Sequence, residues 1–205
     1  MKNYILILCL ILVASCQYED YDDSKVIDSP LATCIDGYAK ISGTDYEYSC
    51  LNYDLMGHIT LEEMDAEAGN DCWGWTDTTT GKEYALMATN NKTAFIDITT
   101  PYNPIYLGNL PTATVSSSWR DVKVYKDHAF IVSEATSHGM QVFDLTRLRS
   151  VANPPEIFTA DTNFTEFGSS HNIVINEASG YAYIVGANRS STFEGGPIFI
   201  NIQDP

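Results

Sequence analysis

The run Tyr84-Ala85-Leu86-Met87 recurs along the chain as His128-Ala129-Phe130-Ile131 and again as Tyr181-Ala182-Tyr183-Ile184. The copies begin 44 and 53 residues apart, and each lies between two further short apolar runs. A repeating unit of about 45 residues with three or four short strands is the size of one β-propeller blade. The sequence therefore predicts an all-β chain built from antiparallel, propeller-type blades.

The repeats divide the chain into a lead-in and about three blades. The predicted blades cover residues 71–115, 116–165 and 166–205, which together form a partial propeller over 71–205. Closed propellers have about 4–8 blades, so the sequence predicts an incomplete ring. Residues 31–70 form the lead-in, in which Thr60 and Glu63 have the spacing of a capping box. This box predicts a short helix near residues 61–67.

The net charge excludes one class of partner. The 205-residue chain carries 27 acidic and 11 basic side chains, a formal net charge of −16. Phosphate backbones and anionic lipid repel such a chain, so we expect no nucleic-acid binding and no direct binding to a membrane surface. The hydrophobic content of 44% is sufficient for a core, which excludes a wholly disordered chain.

The N-terminus has the layout of a secretory signal over residues 1–15, with Lys2, an apolar stretch and small residues at its end. Val13-Ala14-Ser15-Cys16 resembles the lipobox of bacterial lipoproteins, which implies lipidation of Cys16. An ordinary signal peptide with an incidental Cys16 is the alternative. The acidic stretch 16–30 is predicted to be a solvated tether. We therefore expect an exported protein whose lipid anchor alone holds it at the bacterial cell envelope, on the outer membrane or cell surface.

The remaining cysteines fit an exported chain. Cys34 and Cys50 lie 16 residues apart in a polar, turn-rich stretch, and we expect them to form a disulfide that contributes about 3 kcal/mol. Cys72 lies in an apolar run and is predicted to be a small buried hydrophobe. No CxxC pair and no EF-hand spacing occur, so we predict no cofactor and no metal site. A structural Ca²⁺ ion in the tether is the alternative left open.

Polar residues recur at the start of the first strand of each predicted blade, the strand that would line the central channel. Alignment of the repeats places Asp71, Arg120 and His171 at equivalent positions, each at the start of a blade. Connections of an antiparallel meander alternate between two faces, so the loop that leaves the second strand shares this face. We therefore predict a ligand site at the mouth of the central channel. Its candidate residues are Asp71, Arg120, Asp121, Glu134, His138, His171 and Asn172.

Structural roles compete with this prediction. Arg120 has an alternative role in an ion pair between blades, with Asp71 or Glu134. His171 has an alternative role as a hydrogen-bonded structural histidine. A metal ion held by His138, His171 and a carboxylate lacks any ligand-spacing motif. We assign no catalytic residue from the sequence.

Two further sets of residues have predicted structural roles. The final strand of each unit closes on a short polar side chain, which we expect to bond the amides of the following turn. These side chains are Asp97, Asp144 and Asn201. The tryptophans Trp73, Trp75 and Trp119 are predicted to be blade-core aromatics, with a sugar-stacking platform as the alternative.

Longer stretches carry a family resemblance. Residues 95–108 resemble the LVIVD-type propeller repeat, an apolar strand followed by Asp-x-Ser/Thr-x-Pro-x-x-Pro. The chain from about residue 31 to 205 is similar to the choice-of-anchor B family of exported bacterial proteins. The stretches that carry this similarity are 34–50, 73–86, 117–125, 138–145 and 168–173.

The resemblance implies a secreted β-propeller that is attached to the cell envelope, without a settled activity. Two departures from the family are an N-terminal anchor at Cys16 and an end at Pro205, where family members continue for several blades. We thus expect a fragment or a part of an assembly. The expected function is a binding or scaffold module whose loop face holds a protein, glycan or small ligand. A hydrolase or lyase with its site at the channel mouth is the alternative.

Overall fold

The computed structural model describes residues 29–187 and 196–205. The predicted signal segment, Cys16 and all but the last two residues of the predicted tether lie outside these residues. Within them the chain is all-β, with fifteen short strands in four sheets and one 3-10 helix. None of the described residues belongs to a helix long and apolar enough to cross a membrane.

The lead-in contains a small antiparallel sheet. It is formed by β1 (Cys34–Ile35), β2 (Tyr38–Lys40) and β3 (Glu47–Ser49). The predicted disulfide is confirmed, because Cys34 and Cys50 are bonded with their Cα atoms 5.9 Å apart. Such a bond indicates an oxidising, extracytoplasmic environment.

The predicted short helix of the lead-in is wrong, although its capping box forms. The Thr60 hydroxyl accepts the Glu63 amide at 3.0 Å, and the Glu63 carboxylate accepts the Thr60 amide at 2.7 Å. The chain makes only a turn because Asp65 takes a left-handed conformation, with φ of 50°, which ends a helix. Lys92 Nζ then donates to the carbonyl oxygens of Met64 and Asp65, both at 2.8 Å. These bonds satisfy carbonyls that a second helical turn would otherwise have used.

The strands of three blades follow in chain order, and consecutive strands of each meander pair antiparallel. Blade 1 contains β4 (Gly69–Thr76), β5 (Glu83–Thr89), β6 (Lys92–Asp97) and β7 (Ile105–Pro111). Blade 2 contains β8 (Arg120–Tyr125), β9 (His128–Ser133) and β10 (Met140–Asp144), followed by the 3-10 helix (Leu145–Ser150), β11 (Glu156–Ile157) and β12 (Thr162–Phe164). Blade 3 contains β13 (Asn172–Asn176), β14 (Tyr181–Val185) and β15 (Ile198–Asn201).

Strand β11 departs from the simple meander. It leaves blade 2 and pairs parallel with β7, so it becomes the outer strand of the blade 1 sheet. Gly108 of β7 permits this close approach, because a Cβ on Gly108 would clash with the backbone of Glu156. The next strand, β12, pairs with β10 and completes the blade 2 sheet. The connection between blades 2 and 3 thus also holds blade 2 to blade 1.

Apolar cores join the blades face to face. Between blades 1 and 2, the buried rings of Phe95 and Phe143 stack with centroids 4.7 Å apart. Between blades 2 and 3, Phe130 and Ile184 are buried in a second core. The inner strands β4, β8 and β13 lie side by side. The predicted all-β fold of antiparallel, blade-like sheets is therefore confirmed.

The polar residues that end the third strand of each blade bond turn amides, as predicted. The Asp97 carboxylate accepts the Thr99 amide at 3.0 Å, and the Asp144 carboxylate accepts the Thr146 amide at 2.9 Å. The Asn201 side chain repeats the contact in blade 3, with the amide of residue 203 at 3.0 Å. Because this contact recurs in every described blade, we assign it a structural role in the turn that follows the strand.

The predicted burial of Cys72 is wrong, since its side chain is exposed. Cys72 pairs with Met87 across the β4–β5 ladder, just as Val122 and Ile173 pair with equivalent residues of their own blades. Val122 and Ile173 are buried because each packs against the preceding blade. Among the described residues no blade precedes blade 1, so only part of the lead-in covers this face.

Candidate functional site

The strand ladders correct the predicted alignment of the inner strands by one residue. Cys72 pairs with Met87 just as Val122 pairs with Ile131 and Ile173 pairs with Ile184, so Cys72, Val122 and Ile173 are equivalent. Counting back from these residues, Asn70 rather than Asp71 corresponds to Arg120 and His171. The next equivalent set is Asp71, Asp121 and Asn172. A match between apolar runs does not fix the register of a strand to one residue, so the sequence did not reveal this alignment.

Carboxylates of this second set tie each inner strand to the next. Asp71 of β4 accepts the Val122 amide of β8 at 3.1 Å. Asp121 of β8 accepts the Ile173 amide of β13 at 2.8 Å and the Asn172 side-chain amide at 3.1 Å. The inner edge of a blade has no neighbouring strand to accept its amide hydrogens. The two carboxylates therefore supply acceptors for amides at the inner edges of blades 2 and 3.

Lys123 is a member of the site that the sequence prediction missed. Its Nζ contacts the carboxylates of both Asp71, at 3.2 Å, and Asp121. The same Nζ lies 4.6 Å from the centre of the Trp73 ring. The available signal was a lysine in the middle of an otherwise apolar inner strand, Val122-Lys123-Val124. The lysine compensates a pair of neighbouring carboxylates that would otherwise repel each other.

The two carboxylates have opposite pKa shifts. Burial raises the pKa of Asp71, and the neighbouring Asp121 carboxyl raises it further. Burial alone would also raise the pKa of Asp121, but hydrogen bonds from Asp71, Lys123, the Ile173 amide and Asn172 lower it overall. Asp71 therefore retains a proton more readily than an ordinary aspartate, and the neighbouring Asp121 releases its proton more readily. Such a pair is the arrangement of an acid beside a base.

Arg120 is buried at the interface between blades 1 and 2, with only 1% of the residue exposed. Its Nε donates to the Thr89 carbonyl of blade 1 at 3.1 Å, and its Nη1 donates to His138 Nε2 at 2.9 Å. Nη2 has no hydrogen-bond partner among the described residues. Burial lowers the pKa of Arg120 to about 10. The alternative ion pair with Asp71 or Glu134 does not form in this structure.

His138 is fully buried behind Arg120. Its Nδ1 donates to the carbonyl of Gly139 at 3.0 Å, so Nε2 carries a lone pair that accepts from Arg120. Burial lowers the pKa of His138 to about 4. His138 is therefore neutral at pH 7 and serves as an acceptor for a buried cation.

The rim of the site is exposed and aromatic. His171, with 46% of its side chain exposed, contacts the Glu134 carboxylate through Nδ1. The ring of Trp119 lies 5.7 Å from the His171 ring, centre to centre, and Trp119 is 53% exposed. Of the three tryptophans, only Trp75 is a buried core aromatic as predicted, whereas Trp73 and Trp119 are exposed.

One pocket of about 180 Å³ joins these groups. Its lining residues are Asn70, Asp71, Trp119, Arg120, Asp121, His171 and Asn172. Five of the seven predicted candidates thus line one pocket, which is called the mouth pocket below. Of the other two, Glu134 borders it through His171, and His138 lies behind Arg120. Sequence reasoning missed Asn70 and Lys123.

The two carboxylates of the mouth pocket are bonded to other groups of the protein. Within residues 29–187 and 196–205, no group of three or more His, Cys, Asp or Glu side chains is arranged to hold a metal ion. The oxygens of Asp71 and Asp121 instead face Lys123 and backbone amides.

No family model matches the chain, and neither a curated protein nor a solved structure matches it.

Proposed function

We propose that the protein is an extracytoplasmic propeller-type binding module that holds a hydroxyl-rich ligand, a glycan or a small polyol, in the mouth pocket. The observation that carries the proposal is the convergence of carboxylate and amide side chains on one pocket with Trp119 exposed on its rim. Carboxylate and amide oxygens accept hydroxyl hydrogens, and an exposed indole offers an apolar face to a sugar ring.

The size of the pocket limits what enters it. At about 180 Å³ it is smaller than the 300–1,000 Å³ that is typical of sites for drug-sized ligands. It therefore suits a single sugar residue, and a longer glycan would extend over Trp119 and His171. Arg120 supports the pocket from behind, because its guanidinium is buried among protein groups rather than presented to a ligand.

We further propose that the chain belongs to the choice-of-anchor B family and is lipidated at Cys16. The stretches between residues 34 and 173 that resemble this family support the first point, and the lipobox-like sequence Val13–Cys16 supports the second. On this proposal the acidic tether holds the blades away from the membrane, and the mouth pocket faces ligands outside the cell.

The test is binding to an array of bacterial and host glycans, followed by calorimetry with the best glycan. We expect Trp119→Ala to weaken binding by at least about 1 kcal/mol, the cost that marks an important side chain at a binding site, without lowering the melting temperature. Tyr53→Ala is the matched control, since Tyr53 is an exposed aromatic of the lead-in outside the pocket. Equal affinities of wild type and Trp119→Ala, or no glycan bound at all, would refute the proposal.

A hydrolase or lyase is the second candidate. The specific observation in its favour is the Asp71–Asp121 pair, whose pKa values shift in opposite directions. The two candidates differ in one measurement, which is turnover of a bound glycan. Cleavage that disappears in Asp71→Asn, while calorimetry still shows binding, supports the enzyme. An intact glycan after prolonged incubation supports the binding module.

A further inference from the structure

A second pocket, of about 490 Å³, lies on the face of blade 1 that points away from blade 2. The lead-in forms one wall, and strands β4, β5 and β6 form the other. Most of its lining is apolar. The exceptions are side chains that carry sulfur or an imidazole, and they are Met56, His58, Met64, Cys72 and Met87.

Sulfur is concentrated in this pocket. Three of the five methionines in the sequence line it. Of the other two, Met140 is buried between blades 2 and 3, and Met1 lies outside the described residues. Cys72 is the cysteine without a disulfide bond in the described part of the chain, and its thiol is exposed at this site.

The strand register brings two of the sulfur side chains together. Cys72 and Met87 are direct partners across the β4–β5 ladder, and such partners have Cβ atoms about 4.5–5.5 Å apart on one face of the sheet. Gly69 leaves space for the Met87 thioether, since a Cβ on Gly69 would clash with the Met87 methyl group. Met64 is buried in the same apolar cluster against which Met87 packs.

The imidazole of His58 is oriented by a neighbouring side chain. The Tyr48 hydroxyl contacts His58 Nε2 at 3.0 Å, and the two rings meet edge to face at 5.5 Å. A metal ion in the pocket would therefore use Nδ1, with Tyr48 as the outer partner that holds the ring.

We propose that this sulfur pocket binds one Cu(I) ion through Cys72, Met64 and Met87, with His58 or Met56 as a further ligand. Thiolate and thioether ligands suit soft monovalent copper, whereas zinc sites use Cys, His, Asp or Glu rather than Met, and calcium and magnesium take oxygen ligands. Methionine has three rotatable bonds, so its sulfur adjusts to an ion without a backbone change.

Binding requires the thiolate form of Cys72. The bond that breaks is S–H and the bond that forms is S–Cu, and the proton goes to solvent, with no change in oxidation state.

The test is anaerobic titration of the purified protein with Cu(I) in competition with the chromophoric chelator bicinchoninate. Wild type should remove one equivalent of Cu(I) from the chelator and should not retain Zn(II) in a parallel titration. Cys72→Ser should lose this uptake. Failure of the wild type to compete with the chelator would overturn the proposal.

Leucine variants separate ligation from packing. Met64→Leu and Met87→Leu keep an apolar side chain of similar volume, and each should weaken Cu(I) binding by at least about tenfold, the lower range for loss of a group that supports a metal site. Met140→Leu makes the same change between blades 2 and 3 and should leave Cu(I) binding unchanged. Circular dichroism melts confirm that each variant is folded. Wild-type affinity in a Met64→Leu/Met87→Leu double variant would overturn the assignment of the thioethers.

Discussion

At the scale of single residues, Arg120 joins two blades through one buried side chain. It begins the inner strand β8, and its guanidinium lies at the interface between blades 1 and 2. There it bonds the Thr89 carbonyl of blade 1 and Nε2 of His138 in blade 2. Both partners are buried groups of the protein.

Arg120→Gln should therefore lower stability rather than affinity. The shorter amide cannot reach both partners, so a buried carbonyl or the buried His138 Nε2 loses its donor, at about 1–3 kcal/mol for each group left unsatisfied. Urea denaturation should show a lower midpoint with an unchanged slope. A variant that keeps the wild-type midpoint but no longer binds its glycan would instead show that Arg120 contacts the ligand.

His138 gives stability a dependence on pH. Its pKa is about 4 in the folded protein against 6.5 for an ordinary histidine, so the unfolded chain binds more protons between these values. Stability from this residue is present above pH 6.5 and is lost as pH falls towards 4, by roughly 3 kcal/mol for a shift of this size. His138→Gln should flatten the pH profile of unfolding in that window. His128→Gln, a change in a partly exposed histidine, should leave the profile as steep as in wild type.

At the scale of elements, the meanders were predictable and their connections were not. Recurring apolar runs identified the blade strands, since each strand has a face that must be buried. The parallel strand β11 and the 3-10 helix lie in a long connection whose position depends on tertiary contacts with blade 1. The capping box at Thr60 formed as predicted, but a local motif cannot specify how far a helix continues.

The 3-10 helix is held to blade 1 by a clasp between Arg149 and Asp77. Arg149 donates two hydrogen bonds to the buried Asp77 carboxylate, at 2.6 and 2.7 Å. These bonds hold the pKa of Asp77 well below its usual range. The clasp thus contributes stability above about pH 4, the ordinary pKa of an aspartate, and this contribution disappears as pH falls further and Asp77 is protonated.

Arg149→Met should lower the melting temperature at pH 7, and the difference from wild type should shrink below about pH 4, because wild type then loses the clasp that the variant already lacks. Lys40→Met removes one member of the exposed Lys40–Glu47 pair, at 3.8 Å, and should have little effect at either pH. A constant difference between Arg149→Met and wild type from pH 7 to pH 2 would show that packing, not charge, holds the helix.

At the scale of the whole molecule, the three-unit pattern predicted an all-β stack of blades, and most of the candidate site followed from the placement of its residues on that stack. What the sequence did not show was the register of β4 to within one residue, which the pairing of Cys72 with Met87 fixes. Consequently Asn70 was overlooked, and Lys123 was overlooked because its partners come from two different blades. Contacts between repeats depend on exact register, whereas the repeat itself tolerates a shift of one residue.

The net charge of −16 and the proposed lipid at Cys16 together give a prediction for the intact protein. Because the acidic chain is repelled by anionic lipid, the lipid chains, at about 0.8 kcal/mol for each buried methylene, must supply all of the membrane affinity. In detergent phase separation of the expressed protein, wild type should enter the detergent phase and Cys16→Ala should move entirely to the aqueous phase. Cys72→Ala, a matched loss of one cysteine from the folded domain, should remain in the detergent phase. Detergent partitioning of Cys16→Ala equal to that of wild type would place the membrane affinity elsewhere in the chain and would refute lipidation at Cys16.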